Sequence, residues 1–286
     1  MSRGLAIKAH IKDSGLLVAP GAFNALTAKI IERVGFSAVY VTGFGAAANL
    51  LGAPDIGLLS FTEMLRHVSY IADAVKIPVI ADADTGYGNV LNVTRTVREY
   101  ERAGVAAIQL EDQVWPKRCG HMDGKQVVDK LDMVGKIKAA VDARHDINTL
   151  IIARTDAVAV NGIDDAIERA HLYSEAGADI LFIEAPRDKE FLLSLPNLFS
   201  KPLLANMVEG GKYPLINVSE LSSSGYKIAI YPVSSLFVTA YVTTKLMTSL
   251  KEQGTTEAML SEMVRFEEFT DIVGLPELRS LEKKYK

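Results

Sequence analysis

Four stretches of the chain share one pattern of polar and apolar positions: ERVGFSAVYVTG (32–43), ERAGVAAIQLED (101–112), SEAGADILFIEA (174–185) and SSSGYKIAIYP (222–232). In each, a polar helix end meets a glycine (Gly35, Gly104, Gly177 or Gly225), and an apolar run follows that ends in polar groups. Glycine just past a helix accepts the left-handed backbone that terminates it. The apolar runs do not alternate, which is the pattern of strands buried on both faces. Extended along the chain, the pattern predicts strands at 16–20, 38–43, 78–84, 106–112, 149–156, 180–186, 202–208 and 227–232. Helical patterns such as NVTRTVREYERA (92–103) and IDDAIERAHLYSEA (163–176) separate most of them. Asp164 and Asp165 lie where the second helix begins and its dipole favours negative charge. Eight strand–helix alternations predict an α/β fold, a (β/α)8 TIM barrel, as a single domain over residues 1–286. Residues 233–286 read as a helical C-terminal extension. A doubly wound open sheet is the alternative, but no G-x-G-x-x-G follows the first strand.

In such barrels chemistry gathers at the C-terminal ends of the strands. Those ends read Thr42-Gly43, Asp82-Ala83-Asp84, Glu111-Asp112, Arg154-Thr155-Asp156, Glu184, Asn206 and Tyr231. Asp82 and Asp84 lie two positions apart and point the same way on an extended chain. Carboxylates so placed repel unless a cation neutralises them. Oxygen-only ligands suit a hard cation such as Mg²⁺, with Mn²⁺ a possible substitute, and Glu111 could orient its waters. The alternative is that these acids cap a helix or pair with an arginine. Arg154 ends an otherwise apolar strand, so it either grips a carboxylate or forms a salt bridge to Asp156 or Glu184. Asn206 supplies an amide to a carboxylate or satisfies a backbone group.

Composition narrows the classes. The 286 residues are 49% hydrophobic and 23% charged, ordinary for a soluble globular chain, and a net charge of −4 gives no reason to expect nucleic acid. No run approaches the roughly 20 apolar residues of a membrane span. The start, MSRGLAIKAH, has no long apolar core, so no signal peptide is read and a cytoplasmic location is expected. One cysteine excludes an internal disulfide and fits a reducing compartment. That cysteine, Cys119, lies in PKRCGHMDGK (116–125), a polar loop after the strand that carries Glu111. Beside Lys117, Arg118 and His121 its pKa is expected to fall, making it a proton donor or nucleophile. Gly120 and Gly124 are expected to let the loop close as a lid. His121 alone reads more often as a surface residue. A non-catalytic metabolite-binding barrel needs no such loop, and a thiol redox enzyme lacks a resolving cysteine.

Together DADTGYG (82–88), LEDQ (110–113), KRCGH (117–121), ARTDA (153–157) and NMVEGG (206–211) resemble the isocitrate lyase/phosphoenolpyruvate mutase superfamily, in the same order from about Pro20 to Tyr231. The resemblance implies a (β/α)8 barrel with its last helix exchanged between subunits of a homotetramer. It implies a Mg²⁺-dependent C–C lyase that cleaves a 2-hydroxy-acid skeleton to an α-keto acid and a carboxylate. Mg²⁺ is then expected near Asp82 and Asp84, with Asp55 and Glu111 in its outer shell. Thr42, Gly43 and Phe44 are expected to hold the keto-acid end, Arg154 a carboxylate, and Glu184 and Asn206 to line the site. The Cys119-Gly120-His121 segment is expected to be catalytic, with Cys119 delivering a proton to the nascent carbanion. The Cys motif disfavours P–C chemistry, whose enzymes carry an Asn-containing loop there.

Substrate choice turns on one position. Methylisocitrate lyases of this superfamily follow Tyr-Pro, after four residues, with an arginine that binds a third carboxylate; here Phe237 stands in that place. The Glu-Gly-Gly form of NMVEGGKYP (206–214) implies the same choice. The expectation is a dicarboxylate such as 2,3-dimethylmalate, cleaved to pyruvate and propionate. The alternatives are 2-methylisocitrate or oxaloacetate, with Phe237 only packing a helix and Arg265 or Arg118 supplying the charge. The apolar segment VSSLFVTAYVTTKLMTSL (233–250) also implies a homo-oligomer.

Overall fold

The computed structural model describes residues 2–13, 15–186, 188–212 and 215–286. Eight parallel strands close into one barrel in sequence order: β1 (Leu17–Ala22), β2 (Val39–Val41), β3 (Val79–Asp82), β4 (Ala107–Glu111), β5 (Leu150–Thr155), β6 (Ile180–Ile183), β7 (Leu203–Asn206) and β8 (Ile228–Tyr231), with β8 pairing back onto β1. The helices are α1 (Arg3–Asp13), α2 (Ala25–Val34), α3 (Gly43–Leu51), α4 (Phe61–Ala74), α5 (Val90–Arg102), α6 (Lys130–Ala143), α7 (Ile163–Glu175), α8 (Lys189–Ser194), α9 (Val218–Ser224), α10 (Ser234–Gln253), α11 (Phe266–Ile272) and α12 (Leu275–Lys284). The expected barrel is therefore the fold, and each expected strand is present. Most are shorter at their C-terminal ends than the apolar runs implied. Thr42 shows why: it leaves the ladder to cap α3, its hydroxyl accepting from the Gly45 N–H at 3.3 Å.

The glycine punctuation also holds. Gly35, Gly104, Gly177 and Gly225 have φ of 102°, 86°, 104° and 103°, a region that a Cβ would strain. Side-chain caps set the opposite ends: Ser60 and Glu63 form a reciprocal capping box on α4, worth about 1 kcal/mol.

The strands divide their apolar residues between two cores. Leu17, Tyr40, Ile80, Ala107, Leu150, Ile152, Ile180, Phe182, Leu204, Ile228 and Ile230 fill the barrel interior. Val39, Val41, Val79, Ala81, Ile108, Leu110, Ile151, Leu181 and Ile183 face outward onto the helices. The sequence did not indicate α1. It seals the N-terminal mouth with Ile7 in the interior cluster, and Arg3 donates to the carbonyls of Ala72, Val75 and Gly104. The C-terminal segment is helical as expected, and no residue of α10 is buried. No helix among the described residues is long and apolar enough to cross a membrane.

Candidate active site

Strand parity builds the site. Interior positions Ile80, Ile152, Ile180, Leu204 and Ile228 share their parity with Asp82, Arg154, Glu184, Asn206 and Ile230. Glu111 follows Ala107 and Gln109 by the same rule, and the β4–β5 register sets it opposite Arg154. The side chains that end the inward rows thus converge on one mouth. Thr42, Phe44, Asp55, Asp82, Glu111, Cys119, Gly120, His121, Arg154, Glu184, Asn206 and Phe237 line a single cavity there. Gly43 and Asp84 stand just behind this lining. The Gly43 N–H donates to Asp82 Oδ2 at 3.3 Å, and a Cβ on Gly43 would lie 2.9 Å from that oxygen. Asp84 leaves the strand with a φ of 48°, yet its Oδ1 stays near Asp82, since a Cβ on Gly43 would lie 3.4 Å from it and 2.9 Å from Asp82 Oδ2.

The floor is acidic. Asp82 Oδ1 accepts from the Asp84 N–H at 3.1 Å and from Gln109 Nε2 at 3.4 Å. Lys117 is buried with its Nζ 2.7 Å from both Asp55 and Asp84. Burial works against that ammonium, yet Asp84 and Asp55 outweigh it and hold its pKa well above the usual range. Burial pushes Asp84 and Glu111 up, against the pull of Lys117 on the first and Arg154 on the second. Glu111 Oε1 is buried with no hydrogen-bond partner. Among the described residues no three His, Cys, Asp or Glu side chains converge tightly enough to hold an ion by themselves. A hard cation that keeps most of its waters fits such a floor, because it needs few direct protein ligands and an oxygen lining to orient the rest.

Of the two roles the sequence left open for Arg154, the structure shows the salt bridge to Asp156. Its Nε and Nη2 donate to Asp156 at 2.8 and 3.0 Å, while Nη1 lies 3.4 Å from Glu111. Phe182 packs under the guanidinium, 5.1 Å from the ring centre. Asn206 Nδ2 donates to Glu184 Oε2 at 3.1 Å. Burial raises the Glu184 pKa, but Arg154 and His121 overcome it and keep the carboxyl ionised.

The Cys119 loop is where the structure corrects the sequence reading. The expected lowering of the thiol pKa is reversed: burial pushes Cys119 up to about 11, and the His121 backbone N–H offsets this only in part. The basic neighbours act elsewhere. Lys117 reaches back to the acidic floor, and Arg118 is exposed with its Nη1 on the Asp123 carbonyl at 3.0 Å. The His121 imidazole lies 3.1 Å from Glu184, with Nδ1 accepting from the Lys212 N–H at 3.2 Å, so it is a site residue and not a surface one. Gly120 is glycine because a Cβ would sit 2.5 Å from Arg154 Nη2 and 2.8 Å from Glu184, not for hinge freedom. Gly124 does need its positive φ of 78°. Gly211 serves the same loop, since a Cβ there would meet His121 at 2.9 Å. Tyr213 and Pro214, the end of the NMVEGGKYP motif, lie outside the described residues.

Some participants escaped the sequence reading. Tyr40 and Phe182 line the cavity from inside the barrel, and Lys125 bonds the loop from behind. Asp112 has the opposite parity to Glu111 and turns away, accepting from Thr155 and Tyr173 hydroxyls at 2.7 and 2.8 Å. Phe182 sits in a run apolar on both faces, where the sequence does not show which residues point inward, and nothing in the sequence pointed to Lys125.

A closed (β/α)8 barrel with an acidic, oxygen-lined mouth under a cysteine loop defines a class of carboxylate-handling enzymes, and the chain belongs to the phosphoenolpyruvate phosphomutase family, whose model matches residues 7–251. Within that family it is 51% identical to 2,3-dimethylmalate lyase of Eubacterium barkeri, covering 100% of this chain and 99% of that one. It is 46% identical to 2-methylisocitrate lyase of Aeropyrum pernix, covering 95% of this chain and 87% of the relative. A crystal structure of 2,3-dimethylmalate lyase superposes with a TM-score of 0.94 at 34% identity, covering 100% of this chain and 96% of that one. Phosphonopyruvate hydrolase, solved in complex with oxalate and Mg²⁺, superposes at 0.90 with 30% identity over 100% of this chain and 99% of its own.

Proposed function

We propose that this protein is a carbon–carbon lyase that cleaves a 2,3-dimethylmalate-like dicarboxylate to pyruvate and propionate, with Cys119 as the general acid. The observation that carries the reading is a partly buried thiol, held protonated, over an acidic barrel mouth. In the retro-aldol step the C2 hydroxyl loses its proton and the C2–C3 bond breaks. Its electron pair remains on C3, which takes a proton from the Cys119 sulfur; the hydroxyl proton restores the thiol, so no water is consumed. A thiol with a pKa near 11 stays protonated at neutral pH and can quench such a carbon base. Thr42 and Phe44 face the keto-acid end, and Arg154 meets a carboxylate with Glu184 and Asn206 beside it. Asp82 and Asp84, with Asp55 and Glu111 in the outer shell, would hold Mg²⁺. When bound, the ion supplies positive charge for oxygens that become negative during cleavage.

Phe237 supports the dicarboxylate over the tricarboxylate. It lines the cavity and meets Phe44 edge to face, centroids 6.2 Å apart at 80°. Arg265 is absent from the cavity lining; Arg118 is part of that lining, but its Nη1 is bonded to the Asp123 carbonyl at 3.0 Å. A third carboxylate left unpaired there costs several kcal/mol. Wild type is therefore expected to cleave 2,3-dimethylmalate with higher kcat/KM than 2-methylisocitrate. Phe237→Arg should move that ratio toward the tricarboxylate by about 10–100-fold, the worth of one charge-assisted pair. A wild type that prefers 2-methylisocitrate ends the assignment.

The exposed face of α10 supports a homo-oligomer, a tetramer with its last helices exchanged. Tyr241 and Val238 are 73% and 62% exposed, more apolar surface than a solvated helix carries. Light scattering should give a mass near four times 31.1 kDa. A value near one chain mass at micromolar concentration removes the proposal.

A further inference from the structure

The cysteine loop is tied across its middle by a side chain that the proposed chemistry does not use. Lys125 is buried, and its Nζ donates to the Gly120 carbonyl at 2.5 Å and to Asp156 Oδ1 at 2.8 Å. Asp156 is the same carboxylate that takes both donors of Arg154. Its own N–H donates to Asp112 Oδ1 at 2.9 Å, and Asp112 is anchored to α7 through Tyr173 and through Arg169 at 3.3 Å. A continuous set of charged bonds thus runs from an outer helix, through the arginine's partner, to the backbone between Cys119 and His121. Other ties to the loop are weaker in kind. Gln113 bonds the Arg118 backbone at the base, the Cys119 N–H meets the Asp55 carbonyl at 3.1 Å, and the Lys212 N–H meets His121. Lys117 is a second buried cation in the loop, but its pairs with Asp55 and Asp84 hold the segment before Cys119, whereas Lys125 holds the backbone after it.

We propose that Lys125 is a positioning residue that holds the Cys119 loop closed over the cavity and couples that closure to the Arg154–Asp156 pair. The ammonium cannot leave Asp156 without stranding a buried charge, so its second donor fixes where the Gly120 carbonyl must lie. Gly120 in turn approaches Arg154 and Glu184 too closely for any Cβ, so the loop has one seated position. Anything that turns Arg154 perturbs Asp156 and is felt at Gly120. The catalytic arm of this inference rests on the reading of Cys119 as the acid; the closure itself does not.

Because Cys119 is the only cysteine, its alkylation by iodoacetamide reports loop opening at a single site. Lys125→Met is expected to raise the alkylation rate at pH 8 at least about tenfold, as for a lid that no longer closes. The sign is informative: removing a nearby cation disfavours the thiolate and by itself slows alkylation. In the lyase assay the same variant should lose about 10–100-fold in kcat with KM changed far less, because Arg154 remains to bind carboxylate. Lys125→Gln, which keeps a neutral donor for Gly120, should fall between; if Lys125→Met does not fold, Lys125→Gln carries the comparison with wild type. An alkylation rate equal to or below wild type overturns the proposal, whatever the turnover. Faster alkylation in a protein that cleaves no malate keeps the closure and removes only the catalytic arm.

Discussion

Replacing Cys119 with alanine or serine lowers kcat by about 10²–10⁴-fold, the range of a positioned general acid, while product and metal binding persist. The side chain is partly buried and takes part in no ion pair, so neither variant strands a charge. Serine is the sharper test, because its hydroxyl keeps the size and the hydrogen-bonding ability of the thiol but is a far weaker acid. The pH behaviour follows from the direction of the shift. Burial raises the thiol pKa to about 11, so the acid form persists through neutral pH and is lost only as pH climbs through that value. Alkylation of the wild type should therefore rise with pH toward 11 and be slow at pH 8, where an unperturbed thiol near 8.5 already reacts. A fully active Cys119→Ser enzyme, or a thiol that titrates below 8, removes the acid role.

The second large effect is on folding as well as activity. Arg154→Gln takes away the cation that Asp156, Glu111 and Glu184 face from three sides. Removing one partner of a buried ion pair costs about 3–5 kcal/mol, because the other is left charged and dry. Each kcal/mol moves Tm by about 2–4 °C in chains of this size class, so a loss on the order of 10 °C is expected. Lys125 remains on Asp156, which keeps the loss at the lower end of that range. Carboxylate binding falls with it: kcat/KM drops about 10²-fold, the worth of one charged hydrogen-bond pair. Thermal scans alongside steady-state kinetics separate the two. An Arg154→Gln protein with wild-type Tm would show that the Asp156 pair adds nothing to stability.

The sequence by itself determined the barrel and most of the polar roster of its mouth, though not Tyr40, Phe182 or Lys125. Glycine-terminated helices and unbroken apolar runs are local signals, since left-handed strain and two-sided burial act on a few neighbouring residues. The resemblance to the superfamily added Phe237, which a local pattern could not single out. What those signals lack is parity: a run apolar on both faces does not say which alternate residues point inward. Closure of the barrel decided that Glu111 enters the cavity while Asp112 turns to Tyr173 and Arg169. It also decided the electrostatics of the cysteine loop. Lys117 adjoins Cys119 but one residue, yet its long side chain finds Asp55 and Asp84, 62 and 33 positions away, because burial makes an unpaired ammonium costlier than a stretched reach. The thiol, left among buried neighbours without that cation, moves up in pKa rather than down. Lys125 found Asp156 for the same reason, across 31 positions. Sequence proximity chose the residues of the site; the pairing of buried charges, which depends on distance in the folded chain, chose their partners.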